Sequence, residues 1–108
     1  MSVRHPLTGA GAASTSDDAV LYTSPEVYDF NYHAIHSNDT QDVDVDVTLD
    51  GTNWISSVPL VDTAGAALAT NEIPAGSVGI IRGKFAKIRV LNKGGTTSAD
   101  CIVLHACE

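Results

Sequence analysis

The residues best suited to chemistry are four aspartates in the middle of the chain: Asp42, Asp44, Asp46 and Asp50. Carboxylates spaced by two also occur in the calcium loop of an EF-hand, where their oxygens surround one cation. That loop needs glycine at its sixth position and glutamate at its twelfth, and counting from Asp42 these positions hold Val47 and Asn53. We therefore predict no metal site. Two roles remain open for these carboxylates: a solvated acidic face that prevents edge pairing, or an acidic stripe that docks on a basic surface of a partner.

The candidate general bases are four histidines: His5, His33, His36 and His105. None belongs to a nucleophile motif, since the chain contains no Gly-x-Ser-x-Gly, no His-Glu-x-x-His and no glycine-rich phosphate loop. The odd spacing of His33 and His36 places them on opposite faces of a strand, which weakens them as a metal pair. We expect surface or packing histidines, no catalytic residues, no cofactor and no enzyme activity.

The two cysteines, Cys101 and Cys107, lie in one predicted strand. At ~3.3 Å per residue their Cα atoms would be roughly 20 Å apart, far beyond the ~7 Å over which a disulfide forms. The spacing fits no zinc motif either. We expect both to pack as small apolar side chains, with a reactive thiol or a crosslink between subunits as the alternatives.

A hairpin is expected to position the aspartates. Residues 43–49 alternate strictly between apolar and polar, which predicts a half-buried antiparallel strand with its valines and Leu49 on the inner face. Asp50 and Gly51 then supply a tight turn, and Trp54 opens the returning strand. Trp54 fits a core or hairpin anchor better than an exposed carbohydrate platform, because few other aromatic residues are left to build one.

Alternating or apolar runs predict the remaining strands. In segment 27–36 the aromatic side chains share one face with Ala34, and we expect that face to point inward. Segment 98–107 is apolar on both faces, so it lies centrally in a sandwich or contacts another subunit. A hairpin is expected at 92–95, and residues 66–70 form either an edge strand or one helical turn. The predicted strands cover residues 19–23, 27–36, 43–49, 54–58, 78–81, 85–91 and 98–107.

Charge is divided along the chain, with the aspartates in its middle and most of the basic residues near its end. Such a division favours head-to-tail contacts between copies, although ordinary solvated strand faces would look the same. The residues that we predict to contact a partner come from these two segments and from the last strand: Asp42, Asp44, Asp46, Arg82, Lys84, Lys87, Arg89, Val103 and His105.

The predicted elements define the fold class. No segment of useful length has a helical period, and about eight short strands separated by turns are typical of an all-β, two-sheet antiparallel sandwich, either jelly-roll or immunoglobulin-like. The start of the chain is rich in small residues. We therefore divide the chain into an extended N-terminal arm, residues 1–18, and a single β-sandwich domain, residues 19–108. The arm would be held by a neighbouring subunit or by its own domain.

Length and charge exclude several partners. The 108 residues carry a formal net charge of −7, so a phosphate backbone would be repelled and no nucleic acid partner is expected. No segment approaches the ~20 apolar residues of a membrane span, and the arm lacks a hydrophobic signal core. We expect a protein that is made in a cytoplasm and has no membrane partner.

Three sequence features together resemble small β-sandwich structural proteins of tailed bacteriophages. They are the alternating run that ends in Asp-Gly-Thr-Asn-Trp at 43–54, the segment Gly-Lys-Phe-Ala-Lys-Ile-Arg-Val at 83–90, and Asn-Lys-Gly-Gly at 92–95 before a last apolar strand. The order resembles that of head decoration (cement) proteins and of tail components. The resemblance covers roughly residues 27–107 and brings no catalytic residues with it.

The resemblance implies a non-enzymatic virion protein. Its first form is a capsid decoration protein that binds between major capsid subunits, as a homotrimer, and stabilises the head. The implied partners are the major capsid protein and further copies of this chain, and the implied location is the capsid surface after synthesis in the host cytoplasm. Two alternatives remain: a tail, neck or fibre-associated module, or a carbohydrate-binding module for host attachment.

Overall fold

The structure, a computed structural model, describes residues 5–94 and 97–108. Within these residues the chain forms strands and no helix, so the all-β prediction is confirmed. The strands are β1 (Leu7–Ala10), β2 (Val20–Thr23), β3 (Tyr32–Ser37), β4 (Val43–Thr48), β5 (Trp54–Ile55), β6 (Glu72–Ile73), β7 (Val78–Arg82), β8 (Lys87–Asn92) and β9 (Cys101–Ala106).

The strands form nested antiparallel pairs on either side of the turn that follows β4. From the innermost pair outward, β4 pairs with β5 and β6, β3 with β7, β2 with β8, and β1 with β9. Further antiparallel pairing brings β9 beside β3 and β8 beside β4. Sheet 1 therefore has the order β1-β9-β3-β7, and sheet 2 has the order β2-β8-β4-β5 with β6 also on β4. This nested order is that of a jelly roll, which decides between the two sandwich types.

The core lies between the two sheets and follows from strand alternation. Val43 and Val45 of β4 are fully buried, as are Ile88 and Val90 of β8. Each such side chain contributes about 1.5–3 kcal/mol by leaving water. Leu49 was predicted to join this face, but it is 63% exposed because it follows the end of β4, where the opposite sheet no longer covers it.

The face prediction for segment 27–36 was wrong. Its first half is a turn rather than a strand, in which the Phe30 amide donates to the Val27 carbonyl at 3.1 Å, and β3 begins only at Tyr32. The turn leaves Phe30 buried but Tyr28 exposed, and it sets the opposite parity for β3, whose inner face is formed by His33 and its alternate neighbours.

The link between β8 and β9 also differs from the prediction. A hairpin was expected at 92–95, yet β8 lies in sheet 2 and β9 in sheet 1, so the connection crosses between the sheets. Part of it, residues 95–96, lies outside the described residues. β9 sits centrally in its sheet between β1 and β3, one of the two placements expected for it. Residues 66–70 form only an isolated bridge from Ala67 to Val61.

The described part of the N-terminal arm is held by its own domain. β1 pairs with β9 over four residues and forms the edge of sheet 1. Beyond it, the Gly11 amide donates to the Cys101 carbonyl at 2.8 Å, and Ser14 forms a bridge with Ala99. Residues 1–4 of the predicted arm lie outside the described residues.

Candidate functional site

The outer face of sheet 1 is built mainly from small and aliphatic side chains, and Thr8, Tyr32, His36 and Arg82 lie on the same face. Because the inner positions of β3 and β9 are buried, the alternate positions point outward. Cross-strand pairing brings Leu104 beside Ala34, and Ile102 beside His36 and Ala10. We call this surface the apolar face, formed by Ala10, Ala34, Val78, Ile102, Leu104 and Ala106.

The apolar face is accessible and large enough to matter. Ile102 at its centre is 47% exposed, and Leu104 and Ala34 are partly exposed. The four strands have 4, 6, 5 and 6 residues, so at ~4.8 Å between strands and ~3.3 Å per residue the whole face, with its polar side chains, spans roughly 330 Å². Apolar patches of this size on a monomer are often functional. An antiparallel sheet with a solvated outer face would instead place polar side chains at these positions.

Arg82 marks the border of the apolar face. Its Nε donates to Glu108 Oε1 at 2.7 Å, and its guanidinium lies 5.3 Å from the centre of the Tyr32 ring. This hydrogen bond lowers the pKa of the Glu108 carboxyl. Arg82 and Lys84, both predicted to contact a partner, are exposed here. The border is therefore charged, whereas the centre is not.

The outer face of sheet 2 has the opposite character, and we call it the charged face. Here Asp46 of β4 lies directly opposite Arg89 of β8. Arg89 donates to Asp46 Oδ2 at 2.9 Å, and its guanidinium lies 4.4 Å from the centre of the Trp54 ring. Asp46 is only 6% exposed as a result. Two residues predicted to contact a partner thus bind each other.

Lys93, Glu72 and Asp42, near this face, are also engaged within the chain. Lys93 pairs with Glu72 at 2.5 Å, and Asp42 accepts the Ala75 amide at 2.9 Å. Burial raises the pKa of Asp44, an effect that the positive charge of Lys93 partly offsets. The acidic and basic segments are separate along the chain but adjacent in space, because β4 and β8 pair.

The turn after β4 uses its carboxylate for structure. Asp50 Oδ1 accepts the amides of Thr52 and Asn53, both at 2.8 Å, and these bonds hold the pKa of Asp50 far below its usual range. Gly51 has a φ of 85°, as a tight turn requires. Trp54 was predicted as a core or hairpin anchor. It begins β5 as expected, but its ring lies partly exposed under Arg89 rather than in the core.

Two predicted partner contacts lie on the wrong side of β9. Val103 and His105 are fully buried in the sandwich, so their side chains do not reach a partner. The residues that sequence reasoning missed are their neighbours Ile102 and Leu104. The sequence did indicate that both faces of β9 are apolar. Which of its residues point outward, however, depends on its pairing with β3, which is distant in sequence.

The interior holds two polar side chains, His33 and His105, that are closed off from solvent. His33 Nδ1 and His105 Nδ1 are 2.8 Å apart, and both residues are fully buried, so a substrate cannot reach them.

The two cysteines have different environments. Cys101 is buried, which raises the pKa of its thiol to about 12. Cys107 is exposed, contrary to the prediction that both cysteines pack inside. Among residues 5–94 and 97–108, no three ligating side chains are arranged to hold a metal ion.

An apolar groove opens at the side of the sandwich, next to β5 and β7. Its volume is about 440 Å³, and its walls include Val58, Ile81 and Phe85, with Arg82 at the rim. Its size is that of a small-ligand pocket, but it lacks the convergent polar groups that orient a ligand.

In the part of the chain that is described, no helix is long and apolar enough to cross a membrane.

Comparisons with known proteins support the fold. No protein-family model matches the sequence, and no curated protein matches it. The SPBc2 prophage-derived protein YomS superposes with a TM-score of 0.73 over 97% of each chain, at 6% identity. The cupin domain of Schizosaccharomyces pombe Cnp3 covers 95% of this chain and 53% of its own, with a TM-score of 0.49 and 12% identity, too low to carry an argument. At such identities the likeness to YomS shows the jelly-roll fold alone.

Proposed function

We propose that this protein is a non-enzymatic structural protein of a bacteriophage particle, and specifically a decoration protein that binds between major capsid subunits on the head surface. The observation that carries the proposal is the apolar face. On a chain with a net charge of −7, an uncharged sheet centre with a half-exposed isoleucine fits a protein contact better than solvent. The fold shared with a prophage-derived protein supports the phage assignment.

The size of the apolar face fits a lattice better than an isolated pair of proteins. Roughly 330 Å² per molecule is less than half of the ~800 Å² that each partner buries in a standard stable interface. A single contact of this size would be weak. A homotrimer that engages three lattice sites at once would gain affinity by multivalency, without any new kind of contact. The proposed mechanism is therefore mechanical: each copy bridges neighbouring capsid proteins and reinforces the shell.

The test is a binding assay with capsids. The purified protein is sized by sedimentation and mass analysis, then mixed with undecorated capsids from the source of the gene. We expect a trimer that saturates a fixed number of capsid sites, and we expect Ile102→Lys to reduce affinity at least tenfold, because it places a charge at the centre of the apolar face.

Val20→Lys is the matched control, since Val20 is 51% exposed on β2, away from the apolar face. Equal capsid occupancy for wild type and Ile102→Lys would rule out the apolar face as the docking surface. A monomer that ignores capsids but sediments with cells or polysaccharide would favour the tail or carbohydrate-binding alternatives, for which the partly exposed Trp54 is the relevant side chain.

A further inference from the structure

A chain of polar side chains crosses the otherwise apolar interior. Tyr22 Oη of sheet 2 lies 3.1 Å from His105 Nε2 of sheet 1. His105 Nδ1 lies 2.8 Å from His33 Nδ1, and His33 Nε2 lies 2.9 Å from the carbonyl oxygen of Gly83. The chain therefore links β2, β9, β3 and the connection between β7 and β8. It is a direct polar link between the two sheets of the sandwich.

The position of each hydrogen along these linked side chains follows from the last acceptor, the carbonyl oxygen of Gly83. A carbonyl oxygen only accepts, so His33 Nε2 carries a hydrogen and donates to Gly83. In neutral His33, Nδ1 is then the acceptor, and the hydrogen between the two imidazoles belongs to His105 Nδ1. His105 Nε2 is left to accept from the Tyr22 hydroxyl. The two histidines are therefore opposite tautomers, and every bond in the chain has one donor and one acceptor.

Among residues 5–94 and 97–108, the surroundings of the two histidines offer no negative charge to compensate an imidazolium. Leu7 of β1 pairs with His105, and Ile81 of β7 pairs with His33. The Phe30 and Phe85 rings flank the pair at 6.2 Å and 5.7 Å. The other titratable groups on this side are the Tyr22 hydroxyl and the Cys101 thiol, and the pKa of each is raised mainly by burial, so both are neutral. Burial, and then the neighbouring His33, lower the pKa of His105 to about 4.

We propose that the chain from Tyr22 through His105 to His33 is an acid-sensitive latch, which joins the two sheets at neutral pH and releases them when the histidines take up protons. One added proton places a charge in an apolar interior. A second would set two N–H groups against each other across the short contact between the two Nδ1 atoms, which needs a single shared hydrogen.

The direction of the pH effect follows from linkage. Burial lowers the pKa of His33 as well as that of His105, whereas an unfolded histidine titrates near ~6.5. Between the lowered pKa values of the folded protein and the pKa of ~6.5 of the unfolded chain, the unfolded chain binds more protons than the folded chain. The free energy of unfolding therefore falls as the pH falls through this range. The full stability is present above pH ~6.5, and it is lost progressively as the pH approaches about 4. This inference does not depend on the proposed virion role.

The first test follows unfolding in urea between pH 7.5 and 4.5. We expect the unfolding equilibrium constant of the wild type to rise by up to about tenfold per pH unit for each histidine within this window. The double variant His33→Gln with His105→Gln removes both titrating groups and should flatten the profile. His36→Gln is the matched control, because His36 lies on the opposite face of β3, and it should keep the wild-type slope.

If the double variant does not fold, the imidazole nitrogen NMR spectrum of the wild type decides. We expect a protonated Nε2 on His33, a protonated Nδ1 on His105, and no titration of His105 above pH ~5.5. Tyr22→Phe keeps both histidines but removes the bond between the sheets, and it should destabilise the protein at pH 7.5. Identical tautomers, titration of both histidines near pH 6.5, or a slope that His36→Gln abolishes would each overturn the latch.

Discussion

The two outer faces of the sandwich are each built on a row of four strands, yet their side chains differ in charge and in the contacts that they make. On the charged face, opposite charges stand on neighbouring strands, and Asp46 is buried beneath Arg89 and Trp54. On the apolar face, Ile102 is about half exposed, and its neighbours Leu104 and Ala34 are partly exposed. Asp46 and Arg89 on the charged face complete their contacts within one molecule, whereas we propose that the apolar face is covered by a partner.

This difference corrects a natural inference from the sequence. Charged segments attract notice as binding sites, and Asp46 and Arg89 were predicted as partner contacts for that reason. Once β4 and β8 pair, those charges are neutralised at short range. The surface that we propose to contact a partner is instead the apolar face, whose residues carry no charge pattern in the sequence. A candidate interface is thus better sought among groups that the fold leaves unsatisfied.

The largest expected effect comes from removing residues 1–15, which contain β1 at the edge of sheet 1. The deletion breaks the β1–β9 ladder and uncovers the inner side of β9, so we expect a loss of about 3 kcal/mol or more in the free energy of unfolding. Urea denaturation measures it, with deletion of residues 1–4 as the control. If the truncated protein kept the free energy of unfolding of the wild type, the pairing of β1 with β9 would contribute nothing to the stability of sheet 1.

A smaller effect is expected on the charged face from Asp46→Ala. It leaves Arg89 without its buried carboxylate, so we expect the free energy of unfolding to fall by about 2 kcal/mol. Arg89→Ala and the double variant complete a mutant cycle, whose coupling energy should be about 1 kcal/mol or more. The exposed pair of Arg82 with Glu108 is the control, and its cycle should show no measurable coupling. Additive effects of Asp46→Ala and Arg89→Ala would mean that the charged face does not depend on this pair.

The smallest expected effect comes from Asp44→Asn on the same face. Asp44 Oδ1 is buried and accepts no hydrogen bond from the described residues, and burial raises the pKa of this carboxyl. A raised pKa means that the folded state prefers the protonated form, so the wild type loses stability as the pH rises past the usual value near ~3.9. Asp44→Asn should therefore gain a few tenths of a kcal/mol at pH 7 and nothing at pH 3. Thermal unfolding at both pH values measures this, and a loss of stability at pH 7 would show that the charged face needs the negative charge.

The sequence predicts well what depends on near neighbours. The alternation in 43–49 and the Asp50-Gly51 turn correctly located β4 and the return to β5, because both are set by local geometry. Two predictions failed, one because a local turn was taken for a strand and the other because strands distant in sequence decide the pairing. The turn that precedes β3 reversed which of its residues point inward, and the assumed hairpin at 92–95 is a crossing between sheets. The apolar face shares this limit, since it exists only after β9 has entered between β1 and β3.

The nested pairing of the first strand with the last has a consequence for synthesis on the ribosome. β1 (Leu7–Ala10) is synthesised long before β9 (Cys101–Ala106), the strand with which it pairs. Sheet 1 therefore lacks the strand between β1 and β3 until residues 101–106 have been synthesised, and the ladder edges of β1 and β3 stay open meanwhile. Contacts this distant in sequence also slow folding, to the millisecond-to-second range typical of all-β domains. During that interval the nascent chain is at its greatest risk of pairing with another nascent chain.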